Sequence, residues 1–552
     1  MMKEKLVDLI QDSIRKNWDN KAMTNYGGDS ITYSDMAKKI IHLHTLFEEC
    51  KVQKGDKVAL VGKNSINWTA VYLASVTYGA VVVPILPDFK PNDIHHIVNH
   101  SDSIMLFAAD NIYENLESNQ MLDVKVTFSL NDFSLLYVDN SLKAETLMSA
   151  INVGFQKKLE NLTGAAVFQL PSVGNESLAV FSYTSGTTGF TKGVMITHNN
   201  LVANLIYANN NMPLRPGDDI VCFLPLAHAY GCAFEFLWPF TIGAHITFLT
   251  KTPSPQIILK AFKEIRPRLI LAVPLIMEKI YKKQILPALG KSSIKLMLKL
   301  PLLSTVIENK IKKKLTDSFG GNFHEIVIGG APLSSEVEDF LHRIKFPFSI
   351  GYGMTECAPL ISYASWDKTK LRSAGKPVDS LEIKIDSPDP YNEAGEILLR
   401  GENIMQGYYK NPEATRAALE PDGWMHTGDL GLIDRDNFVY IKGRSKSMIL
   451  GPSGQNIYPE EIEARYNNLP FVQESLVTEK DNKLIILIYP DHENADKEGL
   501  NDEDLKKVFE EHRRFLNQNM PTYMGVSAVR IFSEEFEKTP KKSIKRFLYT
   551  NV

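Results

Sequence analysis

The strongest constraint on this chain is a repeated pattern of short apolar runs separated by longer amphipathic segments. The runs are KVALVG (57–62), AVVVPIL (80–86), SIMLFAA (103–109), LAVFSYT (178–184), DIVCFLPL (219–226), HITFLT (245–250), RLILAVP (268–274) and HEIVIGG (324–330). They are continuous rather than alternating, which describes strands buried on both faces, as in α/β proteins. TYSDMAKKIIHLHTLFEEC (32–50) has the pattern of an intervening helix. Residues 64–87 carry no charge but are interrupted by Asn64, Asn67, Gly79, Pro84 and Pro87. This stretch reads as a buried helix feeding a strand, not as a membrane span. Residues 221–250 carry one formal charge, Glu235, and are cut by Pro225, Gly231, Pro239 and Gly243 into pieces too short to span.

The pattern changes after about Asp379. LEIKIDSPDP, GEILLRG and NFVYIKG read as short antiparallel strands, and a compact α+β pattern follows Arg444. The small polar stretch GRSKS (443–447) marks a boundary. We therefore expect an α/β chain with a large region over 1–443, which contains an antiparallel β part over 379–443, and a small unit over 448–552. Lys plus Arg is 61 against 65 Asp plus Glu, so nothing in the overall charge favours nucleic acid. Cys50, Cys222, Cys232 and Cys357 form no CxxC pair and predict buried reduced thiols. The first residues, MMKEKLVDLIQDSIRKN, are charged throughout and lack the apolar run of a signal peptide. The expected location is cytoplasmic, with any membrane contact at the surface only.

The densest chemical signal is FSYTSGTTGFTKG (181–193), read as a buried strand ending at Tyr183 and then a loop. Glycines let backbone N–H groups converge on an anion, hydroxyls donate to phosphate oxygens, and Lys192 supplies charge. The loop lacks the Gly-Lys-Ser/Thr of a Walker A sequence, which disfavours a P-loop kinase or GTPase.

YTSGTTGFTKGV resembles the signature loop of the AMP-forming acyl-activating enzymes, closest to the long-chain fatty acyl-CoA synthetases. Four further blocks match in the family's order: Gly329-Gly330-Ala331-Pro332, GYGMTECAP (351–359), GWMHTGDLG (423–431) and GRSKSMILGPSGQNIYPEEIE (443–463). The resemblance implies a β-barrel-like character for the antiparallel part, a hinge over 444–447 with Lys446 and Ser447 at its position, and a mobile C-terminal domain. It also implies that ATP and a carboxylic acid give acyl-AMP and pyrophosphate, after which the acyl group passes to CoA. Two anions must meet in the first step, and at about 4 Å a unit pair repels by ~1 kcal/mol in water and ~4 kcal/mol at an effective dielectric of about 20. Cations and N–H donors are therefore required. By resemblance, Thr184 and Glu356 hold Mg²⁺. Ser185, Gly186, Thr187, Thr188, Gly189, Thr191 and Lys192 wrap the phosphates. Gly329, Gly330, Ala331 and Pro332 lie against adenine, and Tyr352, Gly353, Met354 and Thr355 line the nucleotide. Asp429 accepts from the ribose hydroxyls, and Arg444 contacts ribose or phosphate. His228 stands at the mouth of the acyl site, with Tyr230 and Gly231 beside it; Tyr230 and Trp238 are both candidates for an aromatic gate.

One departure stands out. The family's closing motif resembles R-T-x-x-G-K-I-x-R, and here Ser543 occupies the position of its lysine, in KTPKKSIKR (538–546). Lys541, Lys542 and Lys545 are the possible substitutes, and Lys542 is our choice because it adjoins that position. The lysine-rich, partly apolar stretch 279–314 suggests contact with an anionic lipid surface, and with the resemblance it points to a medium- or long-chain fatty acid. Two alternatives stay open: an acyl-AMP or acyl-carrier-protein ligase, and a nucleotide-binding relative with impaired catalysis.

Overall fold

The computed structural model describes residues 1–139, 143–185, 191–250, 254–290, 301–450, 456–480, 483–539 and 544–549. The first four apolar runs build one large sheet and the last four build another. The first sheet has the order Gly407–Tyr408, Thr191–Thr197, Leu178–Ser185, Val81–Ile85, Lys57–Val61, Ser103–Ala108, Val126–Ser129 and Leu135–Val138. Its centre is parallel, and antiparallel pairs finish both edges. The second runs Phe348–Ile350, Glu325–Ile328, Leu269–Ala272, Asp219–Cys222, His245–Phe248, Lys21–Asn25 and Ser30–Thr32, parallel except for the last pair.

The helices begin and end where local chemistry directs. Thr32 and Asp35 form a capping box at the start of Tyr33–Glu49. Ser65 caps Ile66–Tyr78, and Gly79, left-handed at φ 92°, ends it. Ile66–Tyr78 is apolar all round, so it is buried on nearly every side. Trp68 stacks on Tyr72, and both meet Phe236 edge-on. Removing each such side chain from water contributes about 1.5–3 kcal/mol.

The antiparallel part comprises Leu381–Asp386, Gly395–Gly401, Met425–Ile433 and Val439–Arg444 in one four-stranded sheet. A three-stranded sheet, Tyr352–Gly353, Leu360–Tyr363 and Lys376–Pro377, precedes it, so antiparallel pairing begins upstream of the expected start. Strands this short show no readable period. The main hydrophobic core has its last member at Val439, and a separate core begins at Ile457. The second core is built on Val472–Lys480, Lys483–Pro490 and Val526–Ile531, covered by Pro459–Tyr466 and Asp502–Gln518. Between the cores lies the turn Ser445–Ser447, in which Lys446 is exposed and Ser447 half-buried. Among the described residues, no helix is long and apolar enough to cross a membrane, and all four cysteines are buried and free.

Candidate active site

The glycine- and hydroxyl-rich loop lies at the tip of a β-hairpin. Leu178–Ser185 pairs with Thr191–Thr197 in antiparallel register, Thr184 opposite Lys192. The strand thus runs two residues past Tyr183, and the chain returns as a second strand. Gly186, Thr187, Thr188 and Gly189 lie outside the described residues. So do the side chains of Ser185 and Thr191. Lys192 Nζ stands 4.8 Å from the ring centre of Tyr408. Tyr408 pairs with Val194 on the hairpin's outer edge, and its hydroxyl donates to Glu356 Oε1 at 2.9 Å. Glu356 sits in the turn Thr355–Cys357, whose backbone is held by Met405 N–H donating to the Glu356 carbonyl at 2.9 Å. Contacts therefore run from Thr184 through Lys192 and Tyr408 to Glu356. Sequence reasoning missed Tyr408, whose only signal was a tyrosine pair after Gly407 in an otherwise ordinary turn.

Asp429 is the second anchor. Its side chain is 6 % exposed, one oxygen accepting from Tyr352 OH at 2.6 Å and the other from Arg444 Nε at 2.8 Å. Its own N–H donates to Thr427 Oγ1 at 3.0 Å. The register places Asp429 opposite Arg444 on adjacent strands. Burial pushes the Asp429 carboxyl above its ordinary value, while the Arg444 guanidinium and the Tyr352 hydroxyl pull the other way. Beside Tyr352, a Cβ at Gly353 would collide with the Pro359 carbonyl, so only glycine fits; Met354 and Thr355 are half-buried.

Gly329, Gly330, Ala331 and Pro332 follow Glu325–Ile328 at its C-terminal end, and Gly330 takes φ +88°. Tyr230 turns toward this end. Its hydroxyl donates to the Val327 carbonyl at 3.0 Å, and its ring lies under Gly329. Gly231 packs on the Leu224–Pro225 backbone, where a Cβ would stand 3.0 Å from the Pro225 carbonyl. Trp238, also named as a gate, is fully buried against Phe234. His228 is half-buried, and the residues around it wall an apolar cavity of about 30 Å³. That cavity is lined by Leu226, Ala227, Ala229, Cys232 and Ala233 from the His228 segment, and by Tyr72, Pro84, Val180, Ser182, Ile196, Leu201 and Ala358. Val180 and Ser182 belong to the strand that ends in Thr184 and Ser185. The structure thus brings the His228 segment against the strand carrying the loop.

The basic stretches divide. Lys282 is half-buried and donates to the Asn467 carbonyl, so the start of 279–314 meets the small unit, beside a second contact in which Ser334 Oγ donates to Asn468 Oδ1 at 2.8 Å. Lys310, Lys313 and Lys314 are exposed and share an open groove with Lys263. Residues 291–300 lie outside the described residues. Lys541, Lys542 and Ser543 also lie outside them. On either side, Lys538 pairs with Glu474 at 2.7 Å and Lys545 with Glu537 at 3.3 Å.

A family model described as AMP-binding enzyme matches residues 10–409. The chain belongs to the AMP-binding enzyme family. The resemblance read from the five motifs is thereby borne out. Within the family, this chain is 28% identical over 498 residues to a long-chain-fatty-acid–CoA ligase of Escherichia coli, covering 85% of this chain and 82% of that one. It is 29% identical over 456 residues to a peroxisomal long-chain acyl-CoA synthetase of Arabidopsis thaliana, covering 77% and 63%. The fold matches that of the o-succinylbenzoate CoA synthetase of Bacillus subtilis in complex with its acyl-adenylate intermediate. There the TM-score is 0.76 at 19% identity, with 100% and 99% of the chains covered.

Proposed function

We propose that this AMP-binding enzyme activates a medium- or long-chain fatty acid with ATP to form acyl-AMP and pyrophosphate, then passes the acyl group to CoA. The observation that carries the reading is the apolar cavity beside His228, walled by the strand that leads into the hydroxyl-rich loop. At about 30 Å³ the cavity has room only for a water-sized group, so its walls would have to part to admit an apolar chain, whose carboxylate would then face the nucleotide side. Lys192 and the loop would hold the phosphates, Asp429 would accept from the ribose hydroxyls, and Arg444 would contact ribose or phosphate. Thr184 and Glu356 offer one hydroxyl and one carboxylate, a donor set that fits a hard cation retaining most of its waters. Mg²⁺ held by this pair would neutralise phosphate charge. The Tyr408 hydroxyl orients Glu356 by donating to Oε1, and among the described residues Oε2 has no hydrogen-bond partner.

The hinge over 444–447, with Lys446 and Ser447, and the mobility of 448–552 belong to the same proposal, supported by the separate cores on either side. Lys542 is the proposed cation for the reacting carboxylate and α-phosphate. Surface contact with anionic lipid is proposed for the exposed lysines 310, 313 and 314.

The test combines purified protein, ATP and Mg²⁺ with a panel of fatty acids, with and without CoA. CoA-dependent AMP formation is expected. Acyl-adenylate formed without CoA use would point to a different acceptor, and ATP binding without pyrophosphate release would overturn the reading. Full pyrophosphate release in each of Lys541→Ala, Lys542→Ala and Lys545→Ala would refute the lysine assignment.

A further inference from the structure

The segment from Phe223 to His228 joins the strand Asp219–Cys222 to the short helical start at Ala229 and carries part of the cavity wall. Its backbone is irregular, yet Phe223, Leu224 and Leu226 are buried, so their polar groups need partners. Two side chains supply them. Glu235 Oε2 accepts from Phe223 N–H at 3.0 Å and from Leu224 N–H at 2.8 Å. Asn64 Oδ1 accepts from Leu226 N–H at 3.0 Å, and Asn64 Nδ2 donates to the Leu224 carbonyl at 2.7 Å. Gly231 closes in from a third side, because its missing Cβ lets the helix rest on the Leu224–Pro225 backbone.

We propose that Glu235 and Asn64 are positioning residues for the acyl subsite, clamping residues 223–226 so that His228 and the cavity wall hold their place.

The inference rests on the reading of that cavity as the acyl site. Three features support it. Glu235 is completely buried, and its Oε1 has no hydrogen-bond partner among the described residues, an unusual state for a carboxyl with only a structural role. It sits in Cys232–Leu237, a π-helical stretch whose wider turn breaks the regular ladder, a geometry that recurs at functional sites. That same stretch contributes Cys232 and Ala233 to the cavity. Asn64, in contrast, comes from the loop after Lys57–Val61 in the other large sheet. The clamp therefore ties the C-terminal ends of a strand from each sheet at the point where the cavity lies. Burial also holds the Glu235 carboxyl well above the ordinary carboxylate range, against the pull of the Leu224 N–H, the Cys222 thiol and the Phe223 N–H. A neutral acid makes glutamine a close substitute.

The experiment compares Glu235→Leu, Glu235→Gln and Asn64→Ala in the full chain. Glu235→Leu and Asn64→Ala are expected to raise KM for the fatty acid by roughly tenfold or more while KM for ATP stays within about twofold. Glu235→Gln should recover to within about threefold of the wild type. Amide exchange over 219–229 should accelerate in the first two variants and not in the third. Equal losses toward acid and ATP, or an unchanged acid KM in Asn64→Ala, would overturn the proposal. Should Glu235→Leu fail to fold, the Asn64→Ala and Glu235→Gln pair decides on the same criteria. A wild-type chain that turns over no fatty acid counts against the fatty-acid reading. The clamp is then judged on exchange in the AMP-saturated protein, and unchanged protection of 219–229 in Asn64→Ala overturns it.

Discussion

Asp429→Asn is the sharpest probe of the proposed nucleotide site. The native carboxylate accepts from Tyr352 OH at 2.6 Å and from Arg444 Nε at 2.8 Å. An amide offers a single oxygen, so one of these donors must face an N–H instead. Arg444 is 59% exposed, which places its share of the pair in the 0–1 kcal/mol range of surface ion pairs. The Tyr352 bond is buried, and a hydrogen bond to a charged group is worth about 1.5–3 kcal/mol. The unliganded protein should therefore lose about 1–2 kcal/mol of stability. Ribose binding should lose at least one charge-assisted bond, which converts to about 10- to 150-fold in AMP affinity. Thermal unfolding without ligand reads the first effect, and calorimetric titration with AMP, ATP and 2′-deoxy-ATP reads the second. The wild type should discriminate against the deoxynucleotide by roughly tenfold, and the variant should lose that discrimination. Wild-type affinity should also weaken on acidification, since burial raises the Asp429 carboxyl and the protonated form is a poorer acceptor, while the variant should stay flat. An affinity within about threefold of the wild type, or intact deoxy-discrimination in the variant, would refute the assignment of Asp429 to the ribose.

Three further outcomes are expected. Tyr408→Phe keeps the ring under Lys192 but frees Glu356, and should slow fatty-acid-dependent ATP–pyrophosphate exchange by roughly tenfold with little change in thermal stability. Ala233→Leu overfills the cavity of about 30 Å³, and should raise the fatty-acid KM by about tenfold or more at a folding cost of about 1–3 kcal/mol, with ATP affinity preserved. His426 is bonded to Glu396 at 3.0 Å and Glu420 at 2.8 Å, and the Glu396 carboxylate, opposed by burial, raises its pKa above 6.5. A raised histidine stabilises below its unfolded value and loses that contribution as pH climbs through the folded one. Denaturation midpoints should thus fall as pH climbs above the unfolded histidine value of about 6.5 in the wild type, and fall less in His426→Gln.

The sheets were legible because buried parallel strands leave continuous apolar runs, and each of the eight runs contains a strand. The helix Tyr33–Glu49 was legible for a different reason, since Thr32 and Asp35 announce its start. Thr191–Thr197 was not, because its first residues read as the end of a phosphate loop and its pairing with Leu178–Ser185 spans the loop itself. The motifs named Tyr352, Asp429 and Arg444 separately. What no motif states is that Tyr352 and Asp429, 77 residues apart in the chain, share a hydrogen bond. The lysines of 279–314 looked alike by composition, yet the fold sends Lys282 to the carbonyl of Asn467 and leaves Lys313 paired with Asp317 at 2.9 Å on the surface. Asn64 and Glu235 carried no motif at all, because what they hold is backbone, and any sequence can supply that.

The bond between Asp429 and Arg444 spans two adjacent strands, but it also sits at the entrance to Ser445–Ser447, for which Arg444 is the preceding residue. A ligand that donates hydrogen bonds to Asp429 competes for the oxygens that hold this arginine. Occupancy and the torsions of that turn are then thermodynamically linked, and linkage is reciprocal: whatever factor binding applies to the turn's equilibrium, the turn applies to binding. A substitution that stiffens the turn, with no atom near a ligand, should therefore register as a change in nucleotide dissociation constant.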